Sequence, residues 1–206
     1  MIKVQILDYG LGNIKSLYSA LRFLGYEAIV DSKIIKKIDL LIIPGVGSFG
    51  MAMNLLEKQN LINQIKEYSY KGYKLLGVCL GMQLFFNGSE ESQKLEGLKL
   101  IDGVVEKLPL LNENLKLPNI NWSKIKLRLV NNSKIFEKLN LNSDEFYFLH
   151  SYFCKCENID NIVAYTSFGD FNFCSIVQKN NIFGFQFHPE KSRTQGLKLI
   201  KNIIFY

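Results

Sequence analysis

Through the first half of the chain, apolar residues gather in short unbroken runs separated by segments with helical spacing. Residues 2–7, 39–44 and 74–78 are runs with little or no polar face, and 27–31 adds a further strand-like stretch. Between them Ile14, Leu17, Tyr18, Leu21 and Leu24 recur at helical intervals up to a stop at Gly25, and 55–70 reads as a second helix. Strands that are apolar on both faces belong in a parallel sheet covered by helices on either side. The second half changes character. Residues 103–108, 119–129, 146–153, 162–168, 173–178 and 182–188 are all strand-like, the last two joined across Lys179-Asn180-Asn181 as a hairpin, and 197–204 closes as a helix. No Gly/Ser/Pro-rich linker and no internal repeat divides the chain. The pattern predicts one α/β domain over 1–206, with a central, mostly parallel sheet flanked by helices and an antiparallel C-terminal portion.

Composition fits that picture and removes several alternatives. With 206 residues, 48% apolar and 21% charged, the chain can bury one substantial core, which excludes a disordered tail, a coiled coil or a disulfide-stapled mini-protein. No stretch approaches the roughly 18 consecutive apolar residues of a membrane span. Residues 1–8 lack the basic region and cleavage site of a signal peptide, so the expected location is the cytoplasm, with no membrane role. Cys79 stands alone, Cys154 and Cys156 share one extended run, and Cys174 sits in another; no disulfide framework is expected. The net charge of +6 raises the question of nucleic acid, but the densest lysine clusters, 33–37 and 124–128, are interleaved with isoleucine and leucine, as a solvated face is. A nucleic-acid role is set aside.

The chemistry concentrates in two segments. Gly77-Val78-Cys79-Leu80-Gly81-Met82-Gln83 carries an apolar strand into a helix through a G-x-C-x-G turn, the layout of a nucleophile elbow with sulfur in place of oxygen. The glycines permit a tight turn that presents the nucleophile, and the start of the helix turns its N–H groups and positive end toward the sulfur, which favours a thiolate. A lone cysteine in an apolar strand is more often a small core residue, but two glycines in register with a strand-to-helix switch outweigh that reading. The second segment is Gln186-Phe187-His188-Pro189-Glu190-Lys191-Ser192. Pro189 keeps His188 out of helical geometry, and in an extended stretch Glu190 falls on the same side as His188, able to fix its tautomer and stabilise its imidazolium. Pro44-Gly45-Val46-Gly47-Ser48 follows an apolar strand, and its glycines let N–H groups turn toward a developing negative charge, with the N–H of Leu80 as second donor.

These segments, with Asp8-Tyr9-Gly10-Leu11-Gly12-Asn13 and Leu149-His150-Ser151-Tyr152, give a chain that resembles the class I glutamine amidotransferases and, among them, the glutaminase subunits of imidazole glycerol phosphate synthases. The motifs stand in the family's order and span nearly the whole chain. The resemblance implies that Cys79 attacks the side-chain amide of glutamine, that His188 protonates the leaving ammonia, that Glu190 supports His188, and that a glutamyl thioester is then hydrolysed. It implies further that Val46 and Leu80 form the oxyanion hole, that Gly47 and Gln83 help hold glutamine, and that backbone at Ser151 and Tyr152 binds its amino-acid end. The implied partner is a (β/α)8-barrel synthase, which forms a heterodimer with this subunit, receives the ammonia for histidine biosynthesis and switches on a weak glutaminase. One segment departs from the subfamily pattern. Where Pro-His-Met-Gly-Trp-Asn is usual, this chain has Pro118-Asn119-Ile120-Asn121-Trp122-Ser123, on the side that faces the partner in the family. That departure bears on the partner's identity; a paralogue supplying ammonia to a surface-polysaccharide sugar amidotransferase is the alternative.

Other readings compete less well. Gly10-Leu11-Gly12-Asn13-Ile14-Lys15 with Asp31 has some of the spacing of a dinucleotide fingerprint, but Lys15 replaces the third glycine, where a side chain obstructs close packing. His150, Cys154, Cys156 and Cys174 are poor zinc ligands, since C-x-C is shorter than the usual spacing and the residues lie along strands. Neither a metal nor a cofactor is expected. A non-catalytic regulatory or scaffold subunit would have no need of Cys79, His188 and Glu190 together, and a free-standing hydrolase such as a γ-glutamyl peptidase-like enzyme would bring a substrate domain.

Overall fold

The computed structural model describes residues 1–128, 135 and 144–206. Four parallel strands, β1 (Lys3–Leu7), β2 (Glu27–Asp31), β3 (Leu40–Ile43) and β4 (Leu75–Val78), lie in the order β2-β1-β3-β4. Alternation explains how they are buried on both faces. Val4, Ile6, Leu40, Ile42, Leu76 and Val78 point into one apolar layer, while Leu7, Leu41, Ile43 and Leu75 point into the other. Helix α1 (Ile14–Phe23) covers the first layer through Leu17 and Leu21; α2 (Phe49–Lys58) and α3 (Leu61–Tyr70) cover the second through Leu56, Leu61 and Ile65. Gln5 is the polar intruder in β1, and its amide is satisfied by donating to Lys33 O and accepting from Ile35 N, which ties down the loop after β2.

After β4 comes a single helical turn, α4 (Leu80–Gln83), and then the antiparallel region: β5 (Gly103–Lys107), β6 (Asn119–Lys124), β7 (Lys126–Leu127), β8 (Glu145–His150), β9 (Tyr152–Cys156), β10 (Ile162–Phe168), β11 (Phe171–Lys179) and β12 (Ile182–Phe185). Strand β12 pairs parallel with β4 and antiparallel with β11, so it joins the two halves into one sheet. Strands β6 and β8 form a separate two-stranded ribbon. Helix α5 (Arg193–Phe205) closes the chain and packs Leu199, Ile200 and Ile203 into the first layer.

Several boundaries differ from the sequence pattern; α5, for one, begins at Arg193 and not at 197. Residues 55–70 are two helices, because Asn60 adopts a left-handed conformation (φ 56°) and breaks the run, while α2 begins earlier, where Ser48 Oγ accepts from Met51 N. The stretch 146–153 is interrupted at Ser151: β8 belongs to the ribbon and β9 to the main sheet. The stretch 119–129 divides at Ile125, which is buried between β6 and β7; residue 129 lies outside the described residues. Finally, 182–188 stops being strand at Phe185.

Candidate active site

Cys79 sits where β4 meets α4, with φ 54° and ψ −109°, a backbone conformation unfavourable for a side chain-bearing residue. The surroundings impose it. Cys79 N donates to Phe185 O at 2.7 Å, and Met82 N and Gln83 N donate back to Cys79 O at 3.1 and 3.2 Å. A Cβ on Gly81 would stand 1.9 Å from Ile43 O, and one on Gly77 would stand 2.6 Å from the Gly81 backbone. The two glycines of G-x-C-x-G are therefore required by backbone-to-backbone contact. The helix that follows is only four residues, so what faces the sulfur is the first-turn N–H groups and not the end of a long dipole.

His188 and Glu190 meet as a buried pair: His188 Nδ1 lies 3.0 Å from Glu190 Oε1, with side chains 2% and 0% exposed. The contact arises differently from the extended-chain expectation. His188 itself is extended (φ −95°, ψ 98°), but Pro189–Lys191 is a 3-10 turn with proline in its first position, and that turn brings Glu190 back to the imidazole. Ser192 locks the turn in place: its hydroxyl donates to His188 O at 2.6 Å and accepts from Tyr147 N at 3.0 Å, while His188 N donates to Tyr147 O at 2.9 Å. Burial works against a charged imidazole here, yet a thiolate at Cys79 and the carboxylate of Glu190 outweigh it, and the His188 pKa is pushed up to about 10. Nε2 has no hydrogen-bond partner and is the ring atom left available for proton transfer.

A cavity of about 240 Å3 opens at Cys79, lined by Val46, Gly47, Leu80, Gln83, Ser151 and Tyr152 together with Glu91, Pro118, Leu149 and His150. His188 and Glu190 are not among its walls. The Val46 loop is held by Tyr9, whose buried hydroxyl donates to Pro44 O at 2.7 Å. Burial, and then negative charge at Cys79, push the Tyr9 phenol above its usual range, which keeps it a donor. Gly12 packs so closely on Pro44 that a Cβ would come within 2.8 Å of its ring, so the Gly10–Gly12 turn is scaffolding for this loop. A larger groove of about 540 Å3, between residues 34–38 and α3, has no nucleophile and base together.

Sequence reasoning gave no site role to Glu91 and His150 at this cavity or to Gln186 beside Cys79. Glu91 Oε2 accepts from Phe49 N at 2.6 Å, so it caps α2 and places a carboxylate at the cavity wall; nothing in its local pattern signals this. His150, dismissed above as a metal ligand, is a neutral residue that ties β8 to β6. Burial lowers its pKa to about 4, against the opposing pull of the Tyr152 carbonyl. Its Nδ1–H donates to Tyr152 O at 2.8 Å and its Nε2 accepts from Asn119 Nδ2 at 3.2 Å. Gln186, fully buried, directs its amide at Cys79. Cys154 and Cys174 are cross-strand partners in the core whose thiols burial pushes up, and no group of three metal-ligating residues occurs among the described residues.

The family model for glutamine amidotransferase class-I matches residues 5–205. The chain is 41% identical to imidazole glycerol phosphate synthase subunit HisH of Chlorobaculum tepidum over 97% of this chain and 98% of that one. It is 43% identical to the HisH subunit of Lactococcus lactis subsp. lactis over 98% and 97% of the two chains. Among solved structures it is similar to PurLQS from Thermotoga maritima, with a TM-score of 0.75, 19% identity, and coverage of 100% of this chain and 98% of that chain.

Proposed function

The chain belongs to the class-I glutamine amidotransferases, and from that premise we propose that it is the glutaminase subunit of an imidazole glycerol phosphate synthase, splitting glutamine into glutamate and ammonia for histidine biosynthesis. The observation that carries the reading is the buried His188–Glu190 pair beside a nucleophile elbow at the floor of a cavity. Glutamine enters with its amide carbon toward Cys79 Sγ. The Ser151-Tyr152 backbone takes its amino-acid end, and the Glu91 carboxylate complements an α-ammonium group. Sulfur attacks the carbonyl carbon, and the oxygen takes up negative charge against the N–H groups of Val46 and Leu80; the latter is the first residue of α4 and so has no intrahelical acceptor. His188, protonated and oriented by Glu190, gives its Nε2 proton to the departing nitrogen, and ammonia leaves a glutamyl thioester. The neutral imidazole then takes a proton from water, hydroxide attacks the thioester carbonyl, and glutamate departs as the thiolate is regenerated.

Ammonia held in a cavity open to water is lost, so the subunit works docked on a synthase that covers the mouth. The proposed partner is a (β/α)8 barrel that forms a heterodimer with this chain and conducts ammonia to its own active site. The relatives' name supports the histidine pathway. The ribbon bordering the cavity, with Ile120 exposed and Asn119 turned inward on His150, is where the usual motif is altered, and it is the feature that favours a sugar-amidating paralogue as second reading. Among the described residues no helix is long and apolar enough to cross a membrane; we place the activity in the cytoplasm. Capture of the native partner with the tagged chain decides between pathways. The histidine reading expects a barrel synthase whose substrate stimulates glutamate release; capture of a sugar amidotransferase complex instead would overturn it.

A further inference from the structure

The reaction as written uses Cys79, His188 and Glu190 but leaves the most deeply buried amide of the site without a task. Gln186 is 0% exposed, its backbone N–H is anchored to Ser175 O at 3.0 Å, and its side-chain Nε2 lies 3.8 Å from Cys79 Sγ. Which end of that amide faces the sulfur follows from the neighbouring bonds. Gln83 Nε2 lies 2.9 Å from the Tyr152 carbonyl, which only accepts, so this atom is a donor nitrogen. The same nitrogen lies 3.2 Å from Gln186, so the atom it meets there is Oε1, and the NH2 group of Gln186 is the end turned to Cys79. The Tyr152 carbonyl that starts this chain also receives Nδ1–H of His150. The orientation is thus fixed from two sides.

Two protein groups therefore contact the nucleophile sulfur in opposite senses. Leu149 O, at 3.6 Å, can only accept the thiol proton. Gln186 can only donate. When the proton moves to His188 Nε2, the bond to Leu149 O is lost, whereas the bond from Gln186 becomes charge-assisted and strengthens. We propose that Gln186 is a further catalytic residue, the hydrogen-bond donor that holds the Cys79 thiolate for attack, and that Gln83 is a positioning residue that fixes the Gln186 amide. Gln83 thereby acts through the protein as well as on the cavity, since both acceptors of its Nε2 are protein atoms. The inference rests on the amidotransferase reading for its meaning in turnover, but not for its test.

The test is the rate of Cys79 alkylation by iodoacetamide as a function of pH, on the intact chain, with the labelled peptide identified by mass so that Cys156 does not confuse the reading. Gln186→Met keeps length and removes the donor; Gln186→Glu keeps an acceptor for Gln83 and sets a carboxylate against the sulfur. The expected result is alkylation at neutral pH slower by about 10-fold in Gln186→Met, and by more in Gln186→Glu, the scale of losing a hydrogen bond to a charged group. Both profiles should be displaced to higher pH, with glutamine affinity changed less than twofold. Gln83→Met should displace the profile in the same direction by less. A merely structural role would lower the rate without moving the profile, and profiles superimposable on wild type would overturn the proposal. If Gln186→Met fails to fold, Gln186→Glu alone carries the decision. Should Cys79→Ala still release glutamate, the amidotransferase reading fails, while the alkylation profile judges Gln186 independently.

Discussion

Cys79 and His188, the proposed nucleophile and its proton carrier, are held by different means. Cys79 is fixed almost wholly by main chain: parallel strands on either side, a bond from its N–H to Phe185 O, and glycines at 77 and 81 that let backbones touch. His188 relies much more on side chains: beside the main-chain bond from its N–H to Tyr147 O, Ser192 ties it across to β8 and Glu190 holds the ring. A backbone-built geometry tolerates no added atom, whereas a side chain-built geometry loses its order in steps. The half of the site that must withstand strain is the one enclosed by the parallel sheet.

The sharpest break in this contrast is Gly81→Ala. Its Cβ meets a carbonyl oxygen at 1.9 Å with backbone on both sides, so the variant should lose more than about 3 kcal/mol and accumulate little folded protein, as urea denaturation would show. Gly25→Ala is its control: the backbone there, unlike that of Gly81, is left-handed (φ 80°), but nothing lies within 4 Å, and the cost should stay at about 1 kcal/mol.

Next in size is an effect of pH on the side chain-built half. His150, with a pKa of about 4, is neutral in the fold while an unfolded histidine takes up a proton below about 6.5. Stability should therefore fall as pH drops from about 6.5 to 4, by about 3 kcal/mol, and His150→Gln should flatten that limb. His188 has the opposite sign. Its folded pKa of about 10 means its contribution is complete below about 6.5 and is lost as pH rises through 10, so His188→Gln should flatten the alkaline limb. Chemical denaturation across the pH range measures both.

Ser192→Ala leaves His188 O and Tyr147 N without their shared partner and should cost about 2 kcal/mol, with turnover falling and the glutamine KM little changed. Smallest is Lys71→Ala, which removes an exposed ion pair with Glu67 on α3, remote from both halves; the thermal midpoint should not move.

The same division governs what could be read in advance. The parallel strands, α1 and the elbow were legible because apolar runs and paired glycines are local signals. The break at Asn60 was hidden because α2 and α3 both turn apolar residues, Leu56 and then Leu61 and Ile65, into the same layer, so helical spacing runs on through the turn. The division at Ser151 was hidden because β8 and β9 are both rich in aromatic residues, and only their pairing with different sheets separates them. His188 and Glu190 were found by an extended-chain argument, yet the turn that joins them is 3-10, since proline restricts the residue before it and still opens a turn of its own. Glu91 and Gln186 act through contacts distant in sequence, with Phe49 and Cys79, which no spacing reveals.

The central claim is that Cys79 performs the attack that releases ammonia. Its most direct test is glutamate release by Cys79→Ala in complex with the partner synthase and its substrate, beside wild type. The variant should fold, keep the wild-type thermal midpoint and dock as tightly, because the elbow is held by main chain, and it should release no glutamate above background. Glutamate release at the wild-type rate would contradict the account.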